Sequence, residues 1–134
     1  MVKITPQPLS PESVVNQVKT RGSGCAVTYV GLIRDTSRGR PVAWVEYSDP
    51  DGTAAAKLEQ IVTEASNKWW LNEMAIYHRT GRLKVGDINL VVAVAAAHRR
   101  EGFAACQYAI DQFKEKLPTR KKESYLDDSC SEGD

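Results

Sequence analysis

The chain has 134 residues, with 18 lysines and arginines against 17 acids, for a formal net charge of +1. Apolar residues make up 42% and charged residues 26%, an ordinary globular balance, and a chain this long buries roughly two-thirds of its unfolded surface, enough for one core. A near-zero charge excludes binding by bulk polycationic character, so any anion site is local, and no run of about 18 apolar residues exists to span a membrane.

Met1-Val2-Lys3-Ile4-Thr5-Pro6 lacks the basic-then-apolar layout of a signal peptide. Ser10-Pro11-Glu12-Ser13 supplies an N-cap, a proline at the first helical position and an acid in the first turn. Together they predict a short helix to about Val18, broken by Gly22-Ser23-Gly24. Cys25 to Ile33 is rich in β-branched and aromatic residues and reads as a strand ending near Arg34. Asp35 to Pro41 is polar and glycine-bearing, a mobile loop, and Val42 to Tyr47 is the returning strand. Asp49-Pro50-Asp51-Gly52 is a turn, because proline presets φ and glycine accepts positive φ. Ala54, Leu58, Ile61, Ala65 and Trp69 recur at helical spacing. Met74 to His78 is a short strand, and Gly81 to Asp87 a glycine-bracketed connection. Ile88 to Ala95 is almost continuously apolar, as expected of a central strand covered on both faces. Phe103, Cys106, Ile110, Phe113 and Leu117 form the stripe of a last helix, which must end by Leu117 because Pro118 follows. Thr119 to Leu126 fits a final strand. The order is roughly βαββαββαβ: one α+β domain over residues 1–126, two-layered with a mixed sheet, then an acidic, flexible tail at 127–134.

Three cysteines, Cys25, Cys106 and Cys130, cannot all pair within the chain and form no C-x-x-C. That pattern points to reduced thiols in a cytoplasmic protein. Cys106, on an apolar helical stripe, reads as an inert core thiol. There is no phosphate loop, dinucleotide fingerprint, Ser-His-Asp signature or metal-ligand cluster. The chemistry-bearing residues are cations at element ends: Arg34, His98-Arg99-Arg100, Lys114 and Arg120-Lys121-Lys122. Strand-to-helix junctions are where α/β folds place ligands, so convergence of these groups would make a pocket for a phosphorylated, acidic small molecule. Each also has a plainer reading. Lys114 complements a helix dipole, Lys121 and Lys122 form a solvated face, and His98 is a bonded junction residue. His78-Arg79 reads as structural, and Trp69-Trp70 as core anchors.

In combination, these pieces resemble the large, catalytic subunit of molybdopterin synthase over about residues 4 to 123. The matching stretches are Tyr29 to Arg34; Ile76 to Gly81 with Leu83 and Gly86-Asp87; Ala97-His98-Arg99 with Phe103; and Lys114-x-x-x-Pro118-x-Arg120-Lys121-Lys122-Glu123. The resemblance implies an α/β-hammerhead fold. It implies a sulfurtransferase of molybdenum cofactor biosynthesis acting on cyclic pyranopterin monophosphate. Sulfur would come from a small ubiquitin-like carrier with a C-terminal Gly-Gly thiocarboxylate, and two transfers would build the dithiolene. The family's homodimer with a carrier at each end implies a heterotetramer. By the same resemblance Lys114 and Lys121 are the catalytic lysines, with Lys114 the principal acid/base and Lys121 giving electrostatic help. Leu32, Ile33, Arg34, His98, Arg99, Lys122 and Glu123 join them in substrate binding. The histidine–arginine pair acts across the dimer, and Glu123 orients Lys121. No cofactor or metal is implied.

The chain departs from the family pattern at three places. Arg120 stands where the family has an aromatic. Tyr47 to Thr53 lacks a glutamate, a second tyrosine and a methionine, and the customary Gly-x-x-Trp close is absent. These departures leave open a non-catalytic relative that binds the pterin or the carrier as a regulatory or scaffold protein. A nucleic-acid module using Lys114 to Lys122 fits poorly, because Glu115, Glu123 and the acidic tail flank the strip and no aromatics interleave it.

Overall fold

A computed structural model of the chain describes residues 1–126 and 130–132, the last three by backbone alone. The elements are β1 (Val2–Thr5), α1 (Pro11–Val18), β2 (Cys25–Leu32), β3 (Thr36–Ser37), β4 (Arg40–Ser48), α2 (Ala54–Lys68), β5 (Glu73–Arg79), β6 (Gly81–Lys84), β7 (Ile88–Ala96), α3 (Arg99–Lys116), β8 (Arg120–Tyr125) and β9 (Cys130–Glu132). The fold is mixed α+β. A four-stranded sheet runs β1-β5-β7-β2, with β1 parallel to β5 and the other pairs antiparallel. A second sheet is organised on β4, which pairs with β3, β6 and β8, while β9 adds to the outer edge of β8.

The apolar run of β7 is buried from Leu90 to Ala96 because helices cover both faces. Val14 and Val18 of α1 pack with Tyr77, Val91, Ala93 and Ala95 on one side. Leu58, Ile61 and Ala65 of α2 and Ala105, Cys106 and Ala109 of α3 meet Ile76, Val92 and Val94 on the other. The α1 cap forms as read: Ser10 Oγ accepts from the Ser13 amide at 3.3 Å, with proline at the first position. Burial lifts the Cys106 thiol pKa to about 11, as suits an unreactive core side chain.

Four expectations need correction. Trp70, read with Trp69 as a core anchor, is 76% exposed. The connection at Gly81 to Asp87 contains strand β6, whose one inward residue, Leu83, is fully buried beside Val45 of β4. A single inward apolar residue leaves no alternation to detect. The loop at Asp35 to Pro41 contains a tight hairpin, with Arg38 (φ 55°) and Gly39 (φ 75°) between β3 and β4. Positive φ at both turn residues matches the right-handed twist of the flanking strands. Within the tail expected to be flexible, Cys130–Glu132 pairs with Lys122 to Ser124, satisfying β8 edge groups. Residues 127–129 and 133–134 lie outside the described residues.

Candidate functional site

Tyr47 of β4 and Asn89 and Leu90 of β7 line a cleft of about 560 Å³ at which three further chain segments meet: the end of β2, the C-terminal turn of α3, and the start of β8. Each contributes a cation, Arg34, Lys114 and Lys121, and no carboxylate is among the described residues lining it. The backbone explains how each is presented. Beyond the end of β2, the Ile33 amide donates to the Asp87 carbonyl at 3.0 Å and its carbonyl accepts from Gly86 at 2.8 Å. Ile33 is thereby buried, while Leu32 and Arg34 face outward. Lys114 sits in the last turn of α3, exposed. The helix stops at Leu117 in a left-handed conformation (φ 46°, ψ 67°), which turns the chain through buried Pro118 into β8. Strand alternation then presents Lys121 and Glu123 to one side of β8 and Lys122 to the other.

Beneath the cleft lies a polar cluster centred on His78, which is fully buried. Its Nδ1 is 2.8 Å from the Asn89 carbonyl oxygen, and its Nε2 is 2.8 Å from Thr119 Oγ1. A carbonyl oxygen only accepts, so Nδ1 carries the proton. Desolvation holds the His78 pKa below its ordinary value, outweighing the Asn89 bond and the charge of Asp49. The ring is therefore neutral, and Nε2 accepts from the Thr119 hydroxyl. Tyr47 and Phe113 meet the imidazole edge-on, with centroids 4.9 and 5.0 Å away. The loop between Lys114 and Lys121 is thus tied through Thr119 to the central sheet.

Leu32 also lines the large cleft, and the other expected site residues fall outside it. Ile33 and Glu123 line a smaller cavity of about 70 Å³ that also touches Arg34 and Lys121. Glu123 is 4% exposed and accepts from the Tyr125 hydroxyl at 3.3 Å. Lys122 stands opposite Glu46 on β4. His98 and Arg99 line a separate open groove with Cys25 and Phe103, at the N-terminal end of α3. Fifteen helical residues put Arg99 roughly 22 Å from Lys114 along the axis, so one chain does not unite the two sets. Tyr47, Asn89 and Thr119 line the cleft without being expected from the sequence, and His78, read there as structural, lies beneath it. For Tyr47, the inward alternation Val45-x-Tyr47 was the available signal.

The sequence profile of the MoaE protein family matches residues 4–116. The molybdopterin synthase catalytic subunit of a Nostoc species is 39% identical over 129 residues, covering 96% of this chain and 78% of that one. The subunit of the same name from Halalkalibacterium halodurans is 34% identical over 131 residues, covering 98% and 84%. Among solved structures, molybdopterin synthase from Staphylococcus aureus superposes with a TM-score of 0.90 at 30% identity, covering 98% of this chain and 95% of that chain. Profile, relatives and fold thus agree across most of the chain, which belongs to the MoaE family.

Proposed function

We propose that this chain is the catalytic subunit of a molybdopterin synthase, a sulfurtransferase acting on cyclic pyranopterin monophosphate. Its sulfur donor is the C-terminal Gly-Gly thiocarboxylate of a small ubiquitin-like carrier. The observation that carries this reading is one cleft holding Arg34, Lys114 and Lys121 with no carboxylate among its described lining residues, in a MoaE-family chain. Both reactants are anions. Two unit charges about 4 Å apart repel by roughly 4 kcal/mol at the effective dielectric of a protein surface, so their encounter needs several fixed cations.

Arg34, planar and permanently charged, grips the phosphate. Each transfer exchanges one oxygen of the pterin side chain for sulfur. The thiocarboxylate sulfur bonds to a side-chain carbon, whose carbon–oxygen bond breaks with its electron pair leaving on oxygen; the Lys114 ammonium protonates that oxygen. Water then adds to the acyl carbon of the resulting thioester, and its proton passes to the Lys114 amine. The tetrahedral oxyanion collapses, the carbon–sulfur bond breaks, and sulfur stays on the pterin as a thiolate while the carrier tail leaves as a carboxylate. Lys121 stabilises the negative charge on the acyl oxygen, and Glu123 orients it from the adjoining small cavity.

His98 and Arg99 reach the cleft of a second copy, because α3 holds them at the opposite end from Lys114 of their own chain. The working assembly is a homodimer with a carrier at each end. Arg120, where the family has an aromatic, favours a second reading, a relative that binds without turnover. It lines a neighbouring groove of about 280 Å³, and the cation cleft keeps all three of its charges. The test is to combine the purified chain, thiocarboxylated carrier and cyclic pyranopterin monophosphate. Dithiolene product is expected, and binding without product would establish the second reading instead.

A further inference from the structure

We propose that Tyr47 is a catalytic residue of this cleft, donating a hydrogen bond to the oxygen that becomes negative on the carrier's acyl carbon; the role rests on the sulfur-transfer reading above. Tyr47 forms the wall between the large cleft and the small cavity, and Leu32, Arg34 and Lys121 border both spaces with it. The phenol is therefore flanked by two of the three cations that gather anions there.

Hydrogen-bond polarity supplies the rest. Asn89 Nδ2 donates to the Tyr47 oxygen at 3.2 Å. An amide N–H cannot accept, so the phenolic proton is not consumed in that contact, and no described residue accepts it. Burial raises the Tyr47 pKa, outweighing the Asn89 bond that lowers it, and the Glu123 charge adds to the rise, so the phenol stays protonated at neutral pH. The side chain is also rigidly held. Its ring meets the His78 imidazole edge-on at 4.9 Å. The Asn89 amide reaches it because residue 31 is glycine: a Cβ there would lie 2.8 Å from Asn89 Oδ1. A donor fixed before the reaction needs no reorganisation when charge develops on the acyl oxygen, the condition under which such a bond lowers a barrier.

The bond is used when water attacks the thioester. The carbonyl π pair moves onto oxygen, Tyr47 O–H and the Lys121 ammonium share the resulting charge, and the pair returns as the carbon–sulfur bond breaks. The phenol keeps its proton throughout.

Tyr47→Phe is assayed with thiocarboxylated carrier and cyclic pyranopterin monophosphate beside the wild type. A fall in kcat of about 100-fold is expected, as for loss of one oxyanion donor, with KM for the pterin within about threefold and an unchanged melting curve. A kcat within twofold of wild type, or a change confined to KM, overturns the proposal. As a check independent of folding, 3,5-difluorotyrosine at position 47 makes the phenol more acidic at nearly constant shape. Its kcat should fall as pH rises through the phenol's ionisation, a limb that wild type lacks over the same range, and coincident profiles would also overturn the role. A wild-type chain that forms no dithiolene refutes the parent reading and this role with it, whereas an active wild type matched by Tyr47→Phe refutes the role alone.

Discussion

Neutral His78 makes the stability of the chain depend on pH in a way that can be worked out from its surroundings. In the fold, the ring is enclosed by Tyr47 from β4, Asn89 from β7, Phe113 from α3 and Thr119 ahead of β8, with Asp49 the charged group acting on it. Its folded pKa lies below the ordinary 6.5, chiefly through desolvation. The unfolded chain therefore binds a proton near pH 6.5 that the folded chain refuses. Stability from this group is fully present above pH 6.5 and is lost as pH falls toward the folded pKa. The slope approaches about 1.4 kcal/mol per pH unit, and between pH 7.5 and 5.5 the loss reaches up to about 1.4 kcal/mol. Urea unfolding across that range measures it, with His78→Phe as the reference. The variant keeps the ring's bulk but leaves the buried Asn89 carbonyl without its donor, so at pH 7.5 it should be less stable by about 1–3 kcal/mol. The two stability curves should then converge as pH falls. A gap that stays constant from pH 7.5 to 5.5 would show that folding leaves the His78 pKa unshifted, and one that widens as pH falls would show that the ring is charged in the fold; either would refute the bonding pattern assigned to it.

The other expectations test the site more directly. Lys114→Ala and Arg99→Ala should each be inactive alone, yet mixing the two after subunit exchange should restore about a quarter of wild-type activity, because half the dimers carry one intact site of two; no recovery would place both residues in one chain's site. Arg34→Ala should raise the KM for the pterin by about 10- to 100-fold, the worth of a charge-assisted bond, and an unchanged KM would remove the phosphate assignment. Leu117→Gly should raise the melting temperature by roughly 2–4 °C, since left-handed backbone costs a leucine about 1 kcal/mol and its side chain is 46% exposed; a lower melting temperature would mean that side-chain packing outweighs the strain.

The sequence was readable where a signal is local. The Ser10-Pro11 start of α1, the helical stripe of α2 and the apolar run of β7 all formed as expected, because caps and periodicity act over a few residues. The cations at element ends were readable for the same reason. The wall of the cleft was not. Tyr47, Asn89 and Thr119 come from three separate segments, and only the pairing of β4 with β8 and of β5 with β7 brings them around His78. No spacing rule links residues 47, 78, 89 and 119. A lone histidine beside a turn is correctly weighted as structural, and His78 is structural in that its bonds stay inside the fold. What the sequence concealed is the position of that structural bond, directly beneath the loop that joins the two lysines. β6 and the β3–β4 hairpin escaped for a different reason, being too short to repeat a pattern.

The placement of that loop bears on how a cleft of like charges is kept ready. Without an anion, Arg34, Lys114 and Lys121 repel one another, and flexible side chains relieve repulsion by turning into water. The backbone beneath them cannot follow. Pro118 is buried, Leu117 is capped onto the Phe113 carbonyl at 3.1 Å, and Thr119 is bonded to a histidine with no exposure to solvent. Relaxing the loop would expose or orphan the buried imidazole nitrogen, a cost of about 1–3 kcal/mol. The Cα positions of Lys114 and Lys121 are therefore set by the core, and only their terminal ammonium groups adjust. An incoming anion then meets cations whose backbone positions are already set by the fold, so its binding requires no rearrangement of the chain beneath them. The arrangement also accounts for the remoteness of His98 and Arg99. Helix α3 is a rigid rod anchored at Gly102, where a Cβ would lie 3.0 Å from Val27 Cγ2. A rod held that closely to β2 cannot bring its two ends together, which is why the subunit-exchange experiment above asks whether a second copy completes the site.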